Sequence, residues 1–277
     1  LREEDVAFRC NFVTLSDREL YEEKRILDHS SGEIPTEDAA VLLEAVKKEL
    51  ETEEFQFYLG TSYRHCLIWH GGQVLPLAAP HDHLGEKIGP YLPADSRFYD
   101  LQKRSYEILS SHPINQKRKE QGLNQANSCW FWGAGTKPGL SSFESLYGKK
   151  GVMISAVDLL KGIAVGAGMR VKEVEGANGG LHTNYEGKAR AAVEAVLNEG
   201  ADFAYIHLEA PDEMSHQGSL ERKLKAIENL DARIVKPVYE AMEVSGEPYR
   251  LLILPDHPTP LRIRTHSSDP VPYLLYD

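Results

Sequence analysis

The chain has 277 residues, and its 42% hydrophobic and 26% charged residues are typical of a globular protein with a substantial core. No run of 18 apolar residues occurs, and the charged opening LREEDV lacks the apolar stretch of a signal peptide, so the patterning predicts no membrane segment. The net charge of −11 argues against a nucleic-acid partner, because nucleic acids are bound by basic surfaces.

The first half of the chain mixes predicted strands, helices and loops. The predicted elements are a strand at 5–15, a helix at 36–50, a hairpin of 55–60 with 64–69, a loop at 80–93, a helix at 101–111 and a loop-rich stretch at 126–139. The helix start is indicated by Thr36, which follows a proline and precedes two acidic residues.

The second half alternates short apolar runs with helical patterns. Strands are predicted at 151–157, 170–176, 201–210 and 250–254, and helices at 158–169, at 186–200 with Gly200 as C-cap, and at 219–243 with a kink at Pro237. Strands separated by helices of this length favour βαβ units and a mainly parallel sheet flanked by helices. The fold class is therefore α/β, with a domain boundary expected near residue 127.

The three cysteines, Cys10, Cys66 and Cys129, are odd in number and far apart, and no C-x-x-C motif occurs. Such a pattern favours free thiols over disulfides. We therefore expect a cytoplasmic protein.

Residues of metal-ligand type follow two of the predicted strands. Asp212 and His216 are four residues apart and share one face of a helical turn, whereas Asp256 and His257 stand between prolines, and His266 comes shortly afterwards. Mixed carboxylate and imidazole ligation suits a catalytic divalent ion such as Mn²⁺ or Zn²⁺. Five ligands exceed what one open site takes from protein, so two ions ~4 Å apart would use them better.

Each of these residues also has an ordinary interpretation. A single histidine such as His216 is more often packed or solvated than a ligand, and an Asp-His-Pro sequence can simply form a turn. Three such clusters at the ends of predicted elements are harder to explain as turns, which leaves a metal site and ordinary turns as the two hypotheses.

Several segments together resemble one protein family. APDEMSHQG, LPDHPTP and RTHSSDPVPY resemble the metal-binding motifs of archaeal-type cofactor-independent phosphoglycerate mutases, in the alkaline phosphatase superfamily. DVAFRCNFVTL, SYRHCLIW, APHDHLGEKIGPYLP, WFWGAG, GVMISAVDLLKGIAVGAGM and NYEGKARAAVEAV are similar to further family segments, in family order. The resemblance implies an inserted, substrate-binding α+β domain at 1–127 and the C-terminal part of an alkaline-phosphatase-like α/β domain at 128–277.

The resemblance also implies an activity. Family members interconvert 3-phosphoglycerate and 2-phosphoglycerate through a phosphoserine, with two divalent ions and without 2,3-bisphosphoglycerate. The ions are usually Mn²⁺, with Mg²⁺, Co²⁺ or Zn²⁺ in some members. By resemblance Asp212, His216 and His266 bind one ion, and Asp256 and His257 bind the other.

The chain departs from the family pattern in one respect. The family's nucleophilic serine, and the strand that carries a further metal-binding aspartate, have no counterpart that we can assign in residues 1–277. We therefore expect an internal stretch of a longer protein that is inactive alone. Two alternatives remain: a related metal-dependent phosphotransferase of homoserine-kinase-like type, or a non-catalytic scaffold that lacks the nucleophile.

Candidate substrate contacts are cationic side chains. A small anionic phosphorylated substrate would suit Arg64, His65, Arg118 and Lys188, although Arg118 and Lys188 are equally consistent with solvated cations on loops. Two histidines at 81 and 83 resemble a metal pair but are interpreted as loop or substrate-facing residues. Arg9 alternates within a predicted strand and is interpreted as structural.

Overall fold

The structure is a computed structural model that describes residues 1–17 and 20–277, and it divides into two compact units, Leu1–Pro138 and Gly139–Asp277. The domain boundary expected after residue 127 lies just before a strand that pairs with the first strand of the chain. That strand belongs to unit 1, and the two units divide after it. Among the helices of the described residues, none has the length and apolar character needed to cross a bilayer.

Unit 1 is built on one antiparallel sheet. Its elements are β1 (Val6–Leu15), β2 (Ile26–Asp28), α1 (Thr36–Leu50), β3 (Phe55–Tyr58), β4 (Arg64–Trp69), α2 (Ser96–Ser110), α3 (Pro113–Glu120) and β5 (Ser128–Thr136), with short 3₁₀ turns at Tyr21–Glu23, Pro80–His83 and Gly89–Tyr91. The order β2-β1-β4-β3 places β1 inside the sheet, and β5 pairs with β1 as well. The predicted hairpin of β3 and β4 is confirmed, since the two strands pair antiparallel.

The core of unit 1 follows from the two-residue period of β1. Phe8, Cys10 and Phe12 point to one face, where they join Leu42 of α1 and Phe98 of α2 in a buried cluster. The intervening side chains must therefore occupy the opposite face. This alternation decides which polar residues of the strand reach solvent.

The prediction that residues 126–139 form a loop-rich stretch is wrong, because β5 occupies most of it. The aromatic alternation is that of a strand between two cores: Phe131 enters the cluster with Phe8, and Trp130 enters a second cluster on the other face. Gly133 adopts φ +60°, at a register shift between β1 and β5, where a side chain would be strained.

A buried amide holds α3 to the end of α2 and to the segment before β5. The Asn115 side chain donates to the carbonyls of Leu109 and Ala126, both at 2.8 Å, and accepts from the Ala126 amide at 2.8 Å. We expect Asn115→Ala to lower the free energy of unfolding by about 3 kcal/mol, because it leaves buried backbone groups without partners. Chemical denaturation would measure this loss. Gln116→Ala, next to it on the exposed side of α3, should cost less than about 0.5 kcal/mol.

Unit 2 has the expected α/β arrangement. Its elements are α4 (Phe143–Tyr147), β6 (Gly151–Ile154), α5 (Asp158–Gly166), β7 (Arg170–Val171), α6 (Tyr185–Leu197), β8 (Phe203–Ile206), α7 (Ala210–His216), α8 (Leu220–Leu230), α9 (Lys236–Ser245), β9 (Leu251–Ile253) and β10 (Leu274–Tyr276). β7, β6 and β8 form a parallel sheet, and β9 and β10 form an antiparallel pair.

Two predicted helices of unit 2 differ in detail. The helix predicted at 219–243 consists of α8 and α9 joined by one π-helical stretch, Asp231–Val235, which lies just before Pro237. The proline has no N–H to donate to the preceding turn, which accounts for the irregularity there. α6 ends at Leu197 with Asn198 as its C-cap, so Gly200, at φ +70°, lies beyond the cap position predicted for it.

Candidate metal centre

The parallel register of unit 2 gathers polar residues at one edge of its sheet. Ile154, the last residue of β6, pairs with Ile206, the last residue of β8. Ser155 and His207 therefore leave the sheet together, and the Ser155 hydroxyl lies 3.3 Å from His207 Nδ1. The chain after β8 turns at once into α7, which carries Asp212 and His216.

Three of the predicted ligands converge at the end of α7. Asp212, His216 and His266 each offer one ligand atom, and these atoms all lie within 4.8 Å of one another. His216 Nε2 is 3.2 Å from His266 Nε2 and 3.2 Å from Asp212 Oδ2. His266 Nε2 is 3.3 Å from Asp212 Oδ1, although 50 residues separate the two histidines in the chain. The predicted convergence of these three residues is thus present in the fold.

The hydrogen bonding of His216 leaves one ring nitrogen for a ligand. Nδ1 lies 2.9 Å from the Arg264 carbonyl oxygen, which can only accept, so Nδ1 carries a proton. Nε2 then presents a lone pair toward His266 and Asp212 when the ring is neutral. The bond to the Arg264 carbonyl raises the pKa of His216, and the carboxylates of Asp212 and Glu213 add to the effect.

Of the other two predicted ligands, His257 lies beside this trio, and Asp256 contacts His257. The ring centroids of His257 and His266 are 3.7 Å apart. Thr259 connects the two groups, because its hydroxyl donates to the Asp212 carboxylate and lies 3.4 Å from His257 Nδ1. Asp256 accepts a 2.9 Å hydrogen bond from the His257 amide, and the prolines on both sides restrict the backbone of this loop.

The donor set fits divalent cations. Two carboxylates and three imidazoles provide oxygen and nitrogen ligands of the kind that Mn²⁺ and Zn²⁺ prefer. Asp212 Oδ1 and His266 Nε2 lie 3.3 Å apart. Asp212 also accepts a hydrogen bond from the Thr259 hydroxyl, the kind of outer-shell contact that orients a metal ligand. The trio can hold a cation, and the His257 ring lies next to it.

Sequence reasoning missed three residues of this neighbourhood: His207, Glu209 and Thr259. His207 directly follows β8. Because binding sites lie beyond the carboxyl ends of parallel strands, this position in the sequence could have identified it as a site residue. Burial and the nearby Lys188 ammonium lower the pKa of His207, while the carboxylates of Asp256 and Asp212 oppose the shift.

The structure places Lys188 inside unit 2. Its side chain is fully buried in α6, and Nζ donates to the His207 carbonyl at 3.0 Å, so its alternative interpretation as a solvated loop cation is wrong. Burial lowers the pKa of Lys188, and the carboxylate of Glu209 opposes this. For the carboxyl group of Glu209 burial has the opposite effect and raises the pKa. One of the Glu209 carboxylate oxygens is buried without a hydrogen-bond partner. A substrate role for Lys188 stays a prediction.

The three remaining candidates lie in unit 1 and are not equivalent. Arg64 is exposed on β4, whereas His65 is buried and packs edge-on against Phe12, with ring centroids 4.5 Å apart. Arg118 is also buried, which makes its interpretation as a solvated loop cation wrong as well. It donates to the carbonyls of Ser31 and Asn124, both at 2.8 Å, so that its guanidinium braces backbone loops.

The burial of His65 predicts a pH dependence of stability. Desolvation lowers the pKa of His65 from 6.5 to about 4. Between these values the unfolded chain binds a proton that the folded chain excludes, so the free energy of unfolding falls as the pH drops through this window, by about 3 kcal/mol in total. Denaturation of wild type and His65→Leu across the window would measure it. The variant should lose this part of the slope, and an unchanged slope would contradict the assignment.

Comparison with known proteins assigns the chain to a family. The model of the Metalloenzyme superfamily matches residues 33–277. A 2,3-bisphosphoglycerate-independent phosphoglycerate mutase from Methanosarcina barkeri (strain Fusaro) is 50% identical over 281 aligned residues, which cover 100% of this chain and 69% of that protein. The chain belongs to this mutase family. A protein of Geobacter sulfurreducens with the same name, qualified as probable, is 46% identical over 98% of this chain and 68% of its own length.

Two solved structures share the fold of this chain. A protein from Pyrococcus horikoshii superposes with a TM-score of 0.75 at 27% identity, covering 99% of this chain and 64% of that chain. A cofactor-independent phosphoglycerate mutase from Thermoplasma acidophilum, at 23% identity and a TM-score of 0.60, shares the fold. The expected alkaline-phosphatase-like α/β fold is thereby confirmed, and the superfamily implies that members of the mutase family bind divalent metal. The chain spans about two thirds of the length of these relatives.

Proposed function

We propose that this chain forms the metal-binding and substrate-binding parts of an enzyme that interconverts 3-phosphoglycerate and 2-phosphoglycerate in the cytoplasm. The observation that carries the proposal is the convergence of Asp212, His216 and His266 in a chain of this mutase family. Carboxylate and imidazole metal ligands suit phosphoryl transfer, because that reaction depends on positioning the phosphoryl group and on neutralising its negative charge.

The proposed division of labour uses all five ligands. Asp212, His216 and His266 would hold one ion, and Asp256 and His257 the other, with Mn²⁺ as the expected metal. Such ions, when bound, lower the pKa of a serine hydroxyl and offset the charge on the phosphoryl oxygens. Thr259 orients Asp212 through its hydroxyl, and the Arg264 carbonyl fixes the tautomer of His216.

The reaction needs two balanced transfers. In the first, a serine oxygen forms a bond to phosphorus and the bond from phosphorus to the 3-oxygen of glycerate breaks, with the proton moving from serine to that oxygen. In the second, the 2-hydroxyl takes the phosphoryl group and returns its proton to serine. The serine is not assigned among residues 1–277. The proposal therefore concerns the whole protein that contains this chain.

The decisive experiment assays that whole protein for conversion of 3-phosphoglycerate, with Mn²⁺ and after removal of metal by a chelator. We expect turnover only with metal, and no requirement for added 2,3-bisphosphoglycerate. Elemental analysis of the 277-residue chain in parallel should find bound metal, which separates a lost site from a lost nucleophile. An absence of turnover in both conditions would contradict the proposed reaction.

A further inference from the structure

A buried hydroxyl in the loop beyond β9 contacts two of the five proposed ligands. Thr259 is buried, and its hydroxyl donates a hydrogen bond to Oδ1 of Asp212. The same hydroxyl oxygen lies 3.4 Å from Nδ1 of His257. Asp212 is proposed to bind the first ion and His257 the second, so one side chain contacts ligands of both proposed sites.

The hydroxyl has a single proton, and this decides the state of the His257 ring. An ionised carboxylate can only accept hydrogen bonds, so the Thr259 proton is directed to Asp212. Toward His257 the same oxygen can only accept, and the contact is a hydrogen bond only when Nδ1 carries a proton. The neutral ring then has its lone pair on Nε2, which leaves that nitrogen for a metal.

The Nε2 side of His257 faces the other proposed ligand of the second ion. Nε2 lies 3.4 Å from Oδ2 of Asp256. A lone pair and a carboxylate oxygen repel each other at this separation, whereas a cation bound by both atoms would remove the repulsion. His216 has the same arrangement in the first site, because its Nδ1 proton is held by the Arg264 carbonyl and its Nε2 is directed toward His266.

The backbone of Thr259 is fixed from several sides. Pro258 and Pro260 flank the residue and restrict its backbone. The Thr259 carbonyl accepts a hydrogen bond from Nζ of Lys223, on α8, at 3.0 Å. The amide of Ser267 donates to the Pro258 carbonyl at 3.0 Å, which closes the loop around Thr259. The hydroxyl is therefore presented from a fixed position between the two proposed sites.

From these contacts we infer that Thr259 is a positioning residue that links the two ion sites. Its hydroxyl orients the Asp212 carboxylate and keeps His257 in the tautomer whose Nε2 can bind a metal. The existence of two ion sites rests on the proposed function. Without the hydroxyl, Asp212 loses a donor, and the proton of His257 can move to Nε2 and bond to Asp256, which closes that nitrogen to a metal. A residue that contacts neither ion thus affects the binding of both.

The tautomer of His257 can be measured in the metal-free whole protein, independently of turnover. Nuclear magnetic resonance of ¹⁵N-labelled histidine, at about pH 8, distinguishes a protonated ring nitrogen from an unprotonated one, and His257→Gln identifies the signals of His257. We expect Nδ1–H in the wild type and in Thr259→Ser, which keeps the hydroxyl. We expect Nε2–H to become the main form in Thr259→Val, which keeps the shape of the side chain and removes the hydroxyl. Thr265→Val changes an exposed threonine of the same loop, and this matched control should keep Nδ1–H.

Metal binding tests the link between the two sites. Calorimetric titration of the whole protein with Mn²⁺ should show two bound ions in the wild type, and both affinities should be at least about tenfold lower in Thr259→Val. Thr259→Ser should stay within about threefold of the wild type, and Thr265→Val within about twofold. Denaturation curves for each variant establish that unit 2 is folded.

The outcomes separate this role of Thr259 from the proposed reaction. Nε2–H as the main form in the wild type, unchanged Mn²⁺ affinities in Thr259→Val, a loss confined to one ion, or an equal loss in Thr265→Val overturns the role of Thr259. Mutase turnover by the wild type alongside any of these results leaves the proposed reaction standing. The expected tautomer and the expected loss of affinity, found in a protein that does not convert 3-phosphoglycerate, support the role of Thr259 and contradict the proposed reaction.

Discussion

Asp212→Asn is expected to abolish high-affinity metal binding and to reduce the mutase activity of the whole protein by at least about a hundredfold. Asp212 lies at the centre of the cluster: its oxygens are 3.2 Å from His216 Nε2 and 3.3 Å from His266 Nε2. An amide keeps the shape of the carboxylate but removes the charge that pairs with a cation. Metal content after desalting, measured by elemental analysis, gives the result independently of turnover.

The fold should survive this change, because Asp212 is only half-buried and lies outside the clusters of the core. Asp231→Asn, an exposed position of the same unit, makes the same chemical change and should retain metal and activity. Asp256→Asn should likewise reduce metal occupancy and activity with the fold intact, because Asp256 lies in the loop beyond β9. Full metal content in Asp212→Asn would contradict its assignment as a ligand.

Lys188→Met is expected to lower the free energy of unfolding of unit 2 by about 3 kcal/mol. The ammonium is fully buried and donates to the His207 carbonyl at 3.0 Å. Its removal leaves that carbonyl without its donor and the Glu209 carboxylate without the nearby positive charge that offsets its burial. Methionine fills much of the same space, so the loss would report on polar interactions rather than on a cavity.

Denaturant titration of unit 2 measures this effect. The double variant Lys188→Met with Glu209→Gln should recover part of the loss, since the uncompensated carboxylate is then absent. Lys225→Met changes an exposed lysine of α8 in the same way and should shift stability by less than about 0.5 kcal/mol. If both single lysine variants unfold at the same denaturant concentration, the buried-cation account is wrong.

The parts of the fold with regular periodicity could be predicted from the sequence. The apolar face of α1, the alternation of β1 and the succession of strands and helices in unit 2 are all visible in the residue pattern. The position of Asp212 at the sheet edge also followed, since residues after parallel strands meet at one edge of a sheet, whereas His266 follows β9 of the separate antiparallel pair. These features depend on local patterns or on a general rule of topology.

The remaining features depend on tertiary partners. The segment of β5 was interpreted as loop-rich, yet its aromatic residues lie between two cores. The burial of Arg118 and Lys188 was missed because a long cation is exposed by default, and only the folded chain supplies the carbonyls that satisfy each one. Thr259 has no sequence signal, since its contact with Asp212 spans 47 residues.

The most direct test of the central claim is anomalous X-ray diffraction from crystals of the whole protein grown with Mn²⁺. We predict two anomalous peaks ~4 Å apart, one bound by Asp212, His216 and His266 and the other by Asp256 and His257. Manganese density elsewhere, or none beside these five side chains, would contradict the account.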